Sequence, residues 1–221
     1  KFKDKYGEIV ICADGKNVWR RDIYPYYKAN RRKSRDESDL DWNVLFGVMH
    51  KIRDEVHEYF PYKVLHVEHC EADDIIATIV HENGTELNNG SEQYLILSGD
   101  KDYIQLHVYA NVDQYDPVRK RWIRNQDPNK YLAEHIIRGD GGDGVPNILS
   151  PDNCLAVGER QKPITAKRLA ALLEGPDNMN EETLVRYHRN KMMIDLSQVP
   201  QKYKDIILNE FNAEKEVGRE Q

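Results

Sequence analysis

Apolar positions along this chain recur in two periods. Glu8-Ile9-Val10-Ile11-Cys12-Ala13 is a short apolar run ending at Asp14-Gly15, which predicts a buried strand with a turn at its carboxyl end. Apolar residues at 44, 45, 48, 49, 52 and 56 follow a helical period, and Pro61 stops that helix. Lys63-Val64-Leu65-His66-Val67 predicts a second strand, and residues 71–81 a helix after it. Tyr94-Leu95-Ile96-Leu97-Ser98 predicts a third strand, which ends in Gly99-Asp100-Lys101-Asp102. A shorter strand pair is expected within 108–123 around Tyr115-Asp116-Pro117. A helix over 131–138 then leads into Gly139-Asp140-Gly141-Gly142-Asp143-Gly144. Beyond 144 the pattern is helical: 165–174, capped by Thr165 and ended by Gly175-Pro176, then 181–195 and 202–216. Residues 16–42 show no clean period.

Strands that alternate with helices up to about residue 138 predict an α/β fold with a doubly wound, mostly parallel sheet. Ligands of such sheets sit outside the carboxyl ends of the strands. All three clear strands deliver carboxylates there: Asp14, then Glu71, Asp73 and Asp74, then Asp100 and Asp102. Each group alone has an ordinary alternative. Asp14-Gly15 suits a hairpin turn, the acids at 71–74 decorate a helix N-terminus, Asp100 and Asp102 support a loop, and Asp140 to Gly144 suits a linker. Together, at successive strand ends, they favour a cation site, because clustered carboxylates repel one another without counter-ions. A site rich in oxygen, without Cys and with little His, suits Mg²⁺, with Mn²⁺ as a substitute.

Charge adds a substrate class. The chain of 221 residues has a net charge of −6, yet residues 16–35 carry eight Lys/Arg against Asp22 alone, giving +7 there and −13 elsewhere. A basic strip beside an acidic pocket suits a phosphate substrate handled through cations, although taken alone it reads better as a solvated loop. With 32% charged and 39% hydrophobic residues, the composition is that of a polar-surfaced globular chain. No apolar run nears the roughly 20 residues of a membrane helix, and no secretory signal is visible. Cys12, Cys70 and Cys154 lack metal spacing and suit reduced thiols in a cytoplasm.

Five motifs in order carry a resemblance. Ala13-Asp14-Gly15-Lys16, Tyr27-Lys28-Ala29-Asn30-Arg31, Glu71-Ala72-Asp73-Asp74, Ser98-Gly99-Asp100-Lys101-Asp102, and Gly139-Asp140 with Asp143 resemble the flap endonuclease/5′-3′ exonuclease family. The tail, with Arg186 to Asn190 and Ile194-Asp195, is similar to its primer-removing ribonuclease H branch in T-even bacteriophages. The resemblance implies a PIN-like nuclease core over 1–138 with a helical arch at about 16–42, and a helix-hairpin-helix-like, duplex-binding region over 139–221. It implies a structure-specific 5′ nuclease with two Mg²⁺ ions. Asp14, Glu71, Asp73 and Asp100 would serve the first ion, and Asp102, Asp140 and Asp143 the second, with Asp74 in or next to the set. Lys28 and Arg31 would reach the scissile phosphate beside Asp100, and Tyr27 would stack on an unpaired base. Arg20, Arg32, Lys33, Lys167 and Arg168 complete the expected nucleic-acid contacts, with Lys167 and Arg168 reading equally as a solvated helix face.

Two departures shape the expectation. The family opens with a further strand bearing a metal-binding Asp, and nothing before Asp14 in this sequence supplies one. The alternative function is therefore a truncated, nucleic-acid-binding chain with impaired catalysis. The family's hairpin and its monovalent cation are also altered, since an insertion separates Gly144-Val145-Pro146-Asn147 from Lys162 to Arg168. The expected partner is a 5′-flap, forked or RNA–DNA duplex met by a monomer. A clamp or single-strand binding protein leaves no readable motif.

Overall fold

The computed structural model describes residues 2–36, 38–84 and 92–213, and of residues 32, 33, 34 and 36 the backbone alone. A short helix α1 (Lys3–Tyr6) leads into β1 (Val10–Ala13), which pairs in parallel with β2 (Lys63–His66), Ile11 lying opposite Val64. Between them run α2 (Arg20–Ile23), α3 (Ala29–Asp36) and α4 (Trp42–Tyr59). Helix α5 (Ala72–Asn83) follows β2. Next, β3 (Tyr94–Leu97) pairs in parallel with β4 (Val112–Asp116), and β4 pairs antiparallel with β5 (Arg121–Ile123). Helices α6 (Pro128–Arg138), α7 (Ala166–Leu173), α8 (Glu181–Ile194) and α9 (Gln201–Ala213) complete the chain.

The expected parallel α/β core is present. Its ladders fall into two hydrogen-bonded units, β1-β2 and β3-β4-β5, among the described residues. Side-chain packing joins the elements around them. Trp19, Leu65 and Ile75 share one apolar cluster with Val199, Tyr203 and Ile207 of the C-terminal part. Ala77, Val80, Ile96 and Leu106 form a second cluster with Leu196. A third holds Val18, Tyr24 and Tyr27 against Ile136, Val145 and Met193.

That third cluster corrects the reading of the basic segment. Within Val18 to Tyr27, the side chains of Val18, Trp19, Arg20, Tyr24 and Tyr27 are buried, whereas Arg21, Ile23 and Tyr26 are exposed; Val18, Tyr24 and Tyr27 pack with Ile136 of α6 and Met193 of α8. Farther along the segment, Arg31 and Arg35 on α3 are exposed among the described side chains. Helix α4 begins at Asp41, whose carboxylate accepts from the backbone N–H of Asn43 and Val44 at 3.0 and 3.1 Å. Its apolar stripe, with Val44, Val48 and Ile52, is exposed among the described residues. No helix of the described residues is long and apolar enough to cross a membrane.

Candidate metal centre

The carboxyl ends of the strands hold the acids by backbone geometry. Asp14 follows β1, and its Oδ1 accepts the N–H of Ala72 at 2.8 Å, tying it to the first turn of α5. Gly15 permits this approach: its N–H donates to the Cys70 carbonyl at 2.7 Å, and a Cβ there would run into the carbonyls of Val67 and Cys70. The loop after β3 is held from below by the buried Gln114 side chain, which donates to the carbonyls of Ser98 (2.9 Å) and Asp100 (2.6 Å). Asp100 Oδ1 accepts the Asp102 N–H at 3.0 Å, and Asp102 opens a 3₁₀ segment, Asp102–Val108.

Glu71 caps α5, and its carboxylate is ringed by donors. Tyr27 donates to Oε2 at 2.7 Å, Arg20 at 3.3 Å, and the Lys28 ammonium pairs with Oε1. Burial pushes the Glu71 carboxyl up, but Lys28 and Arg20 together with the Tyr27 hydroxyl outweigh it and hold it below the usual range. Asp73 accepts from the Tyr103 hydroxyl; burial, with Asp100 and Glu71 close by, nonetheless raises its pKa to about 6.

A second group faces an open cleft of about 790 Å³ lined by Asp100, Asp102, His135 and Asp140. Burial, followed by the charges of Asp100, Asp140, Asp73 and Asp143, raises the Asp102 pKa to about 8. Asp143 is also raised, by burial and by Asp140, against the pull of Lys28 and Arg31. Asp140 Oδ1 accepts the N–H of Gly142 at 2.7 Å and of Asp143 at 3.2 Å, a turn that sets the two acids side by side. These carboxylates hold more negative charge than the nearby protein cations offset. An oxygen-rich donor set under that strain fits hard divalent cations.

Several expected roles change on structural grounds. Asp74 is fully buried: it accepts the Glu71 N–H at 2.9 Å and the Trp19 indole N–H at 3.1 Å, and Arg20 Nη1 lies 2.8 Å from its Oδ1. It supports Glu71 rather than facing the cleft. Arg20 is 2% exposed and also donates to the Met193 carbonyl at 2.9 Å, so it is an internal cation and not a nucleic-acid contact. Tyr27 is 3% exposed, with its hydroxyl between Glu71 and Asp143, and offers no face for a base to stack on.

Lys28 and Arg31 do sit at the centre. Lys28 has a left-handed φ of 56°, and its N–H donates to the Asp143 carbonyl at 2.7 Å, which turns the ammonium inward over Glu71. The Arg31 guanidinium pairs with Asp143 from the rim. Lys167 and Arg168 are exposed at the start of α7, whose N-cap Thr165 accepts the Arg168 N–H. The side chains of Arg32 and Lys33 lie outside the described ones.

Two participants escaped the motif reading. Tyr103 reaches Asp73 from the 3₁₀ segment, and His135 lies between Asp102 and Asp140. The visible signal for His135 was a lone histidine in the last turn of a helix that runs straight into Gly139-Asp140.

The family model described as "5′-3′ exonuclease, N-terminal resolvase-like domain" matches residues 1–135. Ribonuclease H of Enterobacteria phage T4 is 33% identical over 221 aligned positions, covering 95% of this chain and 71% of that protein. A 5′-3′ exonuclease of Buchnera aphidicola is 23% identical, covering 96% and 77%. Among solved structures, the T5 5′-exonuclease with bound divalent metal ions (zinc) superposes with a TM-score of 0.65 at 17% identity, over 96% of this chain and 87% of that one. That likeness concerns the fold. The family match and the phage relative carry the assignment: this chain is a nuclease that belongs to the 5′-3′ exonuclease family.

Proposed function

We propose that the chain hydrolyses phosphodiester bonds near the 5′ ends of RNA or DNA in duplex, forked or flap substrates, acting as a monomer with two divalent cations, Mg²⁺ or Mn²⁺. The observation that carries this reading is the convergence of mutually destabilised carboxylates, faced by the cations of Lys28 and Arg31. Asp14, Glu71, Asp73 and Asp100 would hold one ion, and Asp102, Asp140 and Asp143 the other. Divalent ions there would supply Lewis acidity toward the phosphodiester and acidify the attacking water.

The chain's own groups position the rest. Arg20 and Asp74 fix Glu71 from inside, and the Tyr27 hydroxyl braces Glu71 against Asp143. Lys28, turned inward over Glu71, and Arg31, on the rim, meet the scissile phosphate and offset charge that develops on its oxygens. Lys167 and Arg168 take phosphates of the duplex farther along, without base preference. Removal of RNA primers during phage replication is the role that fits this substrate.

Purified chain with Mg²⁺ is expected to release short 5′ products from a flap DNA and from an RNA–DNA duplex, and to stop on chelation. Asp102→Asn is expected to lower the rate by at least about a hundredfold while circular dichroism stays unchanged. Metal-independent cleavage, or an unimpaired Asp102→Asn, overturns the proposal. A second reading, tight binding with poor cleavage, is favoured by the divided sheet, in which no ladder ties the strand before Asp14 to the strand before Asp100 among the described residues. Flap binding by the Mg²⁺-loaded chain without product would select it.

A further inference from the structure

The two halves of the acidic centre differ in donor chemistry. Around Glu71 and Asp73 the neighbouring groups are oxygens and the cations Arg20 and Lys28. Around Asp102 and Asp140 there is a nitrogen. His135 Nδ1 lies 3.5 Å from Asp102 Oδ1, and Nε2 lies 3.9 Å from Asp140 Oδ2. One ligand atom from each of the three residues lies within 4.8 Å of the others, the one such cluster among the described residues. Adjacent ligands of an octahedral ion with bonds of about 2.1 Å stand about 3.0 Å apart and opposite ones about 4.2 Å, so the three side chains close on an ion by moving together by about 1–2 Å.

Backbone structure holds the three in place. His135 occupies the last turn of α6, where its carbonyl accepts the Gly139 N–H at 2.8 Å. Asp140 follows at once and is pinned by the Val145 N–H on its carbonyl at 2.7 Å. Asp102 comes from the 3₁₀ segment that packs on α6, with its carbonyl accepting from Gln105 at 2.8 Å. The imidazole is 16% exposed and lies edge-on to Tyr131, with ring centroids 5.9 Å apart. Neither ring nitrogen makes a hydrogen bond among the described residues, so both carboxylate contacts are those of a group near its partners and not bonded to them.

Resting on the metal-dependent reading above, the geometry points to His135 as a nitrogen ligand of the cation held by Asp102 and Asp140. That position then favours a first-row transition ion such as Mn²⁺ over Mg²⁺, while the position at Glu71 and Asp73 is oxygen-only. Imidazole suits borderline ions, whereas Mg²⁺ seeks carboxylate, phosphate and water oxygens.

The test uses the full chain with one equivalent of MnCl₂ and no nucleic acid. Pulsed electron paramagnetic resonance of the bound Mn²⁺ is expected to show ¹⁴N modulation from a coordinated imidazole. His135→Gln is expected to lose that modulation. The excess of Mg²⁺ needed to displace half of the Mn²⁺ should fall by about tenfold, in line with the sensitivity of metal affinity to the groups around a site. Bound Mn²⁺ without imidazole modulation in the unaltered chain overturns the inference, with no variant needed, and leaves the metal-dependent reading standing. Modulation that persists in His135→Gln assigns the nitrogen elsewhere and also overturns it. Failure of the chain to bind Mn²⁺ at all removes both this inference and the reading beneath it.

Discussion

Arg20 and Arg31 belong to the same basic segment, but their surroundings separate their effects. Arg20 is buried against Asp74 and Glu71 and donates to the Met193 carbonyl. Removing it strands a buried carboxylate, so Arg20→Ala is expected to destabilise the chain by about 3–5 kcal/mol in chemical denaturation. A loss below about 1 kcal/mol would contradict an internal ion pair. Arg31 is 47% exposed on the side chain, and its pair with Asp143 is screened by water. Arg31→Ala is expected to change stability by no more than about 1 kcal/mol and to reduce cleavage at saturating substrate by about a hundredfold. The sequence made Asp14, Glu71, Asp73, Asp100 and Asp102 legible because they follow apolar strand runs, and Asp140 and Asp143 because they stand in a glycine-rich turn after a helix. It could not sort the cations, since a run of Lys and Arg carries charge but no burial signal. Trp19, Tyr24 and Tyr27, interleaved with them, were the sign that part of this strip is core.

Strands and α-helices between residues 63 and 138 lie within a few residues of their predicted bounds, because β-runs and helical periods there are long enough to read. The 3₁₀ segment Asp102–Val108 was invisible, since its three-residue turn leaves no 3.6-residue stripe. Helix α4 shows the limit of periodicity in the other direction: its apolar stripe predicts a helix correctly, yet that face is exposed among the described residues. The junction after α6 is the most constrained element boundary at the site. Gly139 has φ +71°, and a Cβ would lie 2.5 Å from the Pro146 carbonyl carbon. Gly139→Ala is therefore expected to cost more than about 1 kcal/mol and to misplace Asp140, lowering Mn²⁺ affinity measured by calorimetry. Gly141, two residues on, has nothing within 4 Å of its own Cβ position, and Gly141→Ala is expected to leave both stability and affinity nearly unchanged. Equal effects at the two glycines would mean that the turn does not position the acid.

At the scale of the whole molecule, the acidic centre makes stability depend on pH and on cations together. A carboxyl whose folded pKa lies above its unfolded value keeps its proton more firmly when folded, and the associated stability fades as pH rises through the folded pKa. For Asp102 this window runs from about 4 to about 8, and for Asp73 it ends at about 6. Burial lowers the pKa of His66, His81, His107 and His135, which gives the opposite slope at and below their ordinary value of 6.5. Glu71, held below its ordinary value, acts only in more acid solution. Between pH 6.5 and about 8, then, the slope belongs mainly to Asp102. The metal-free chain is expected to lose stability across that interval, by no more than about 1.4 kcal/mol per pH unit for one proton. Millimolar Mg²⁺ should raise Tm more near pH 8 than near pH 6, because the ion replaces a proton already lost. Asp102→Asn should flatten both trends. A metal-free Tm that rises through this interval, or an Mg²⁺ increment independent of pH, would show that the charge of the acids is balanced within the protein rather than by cations.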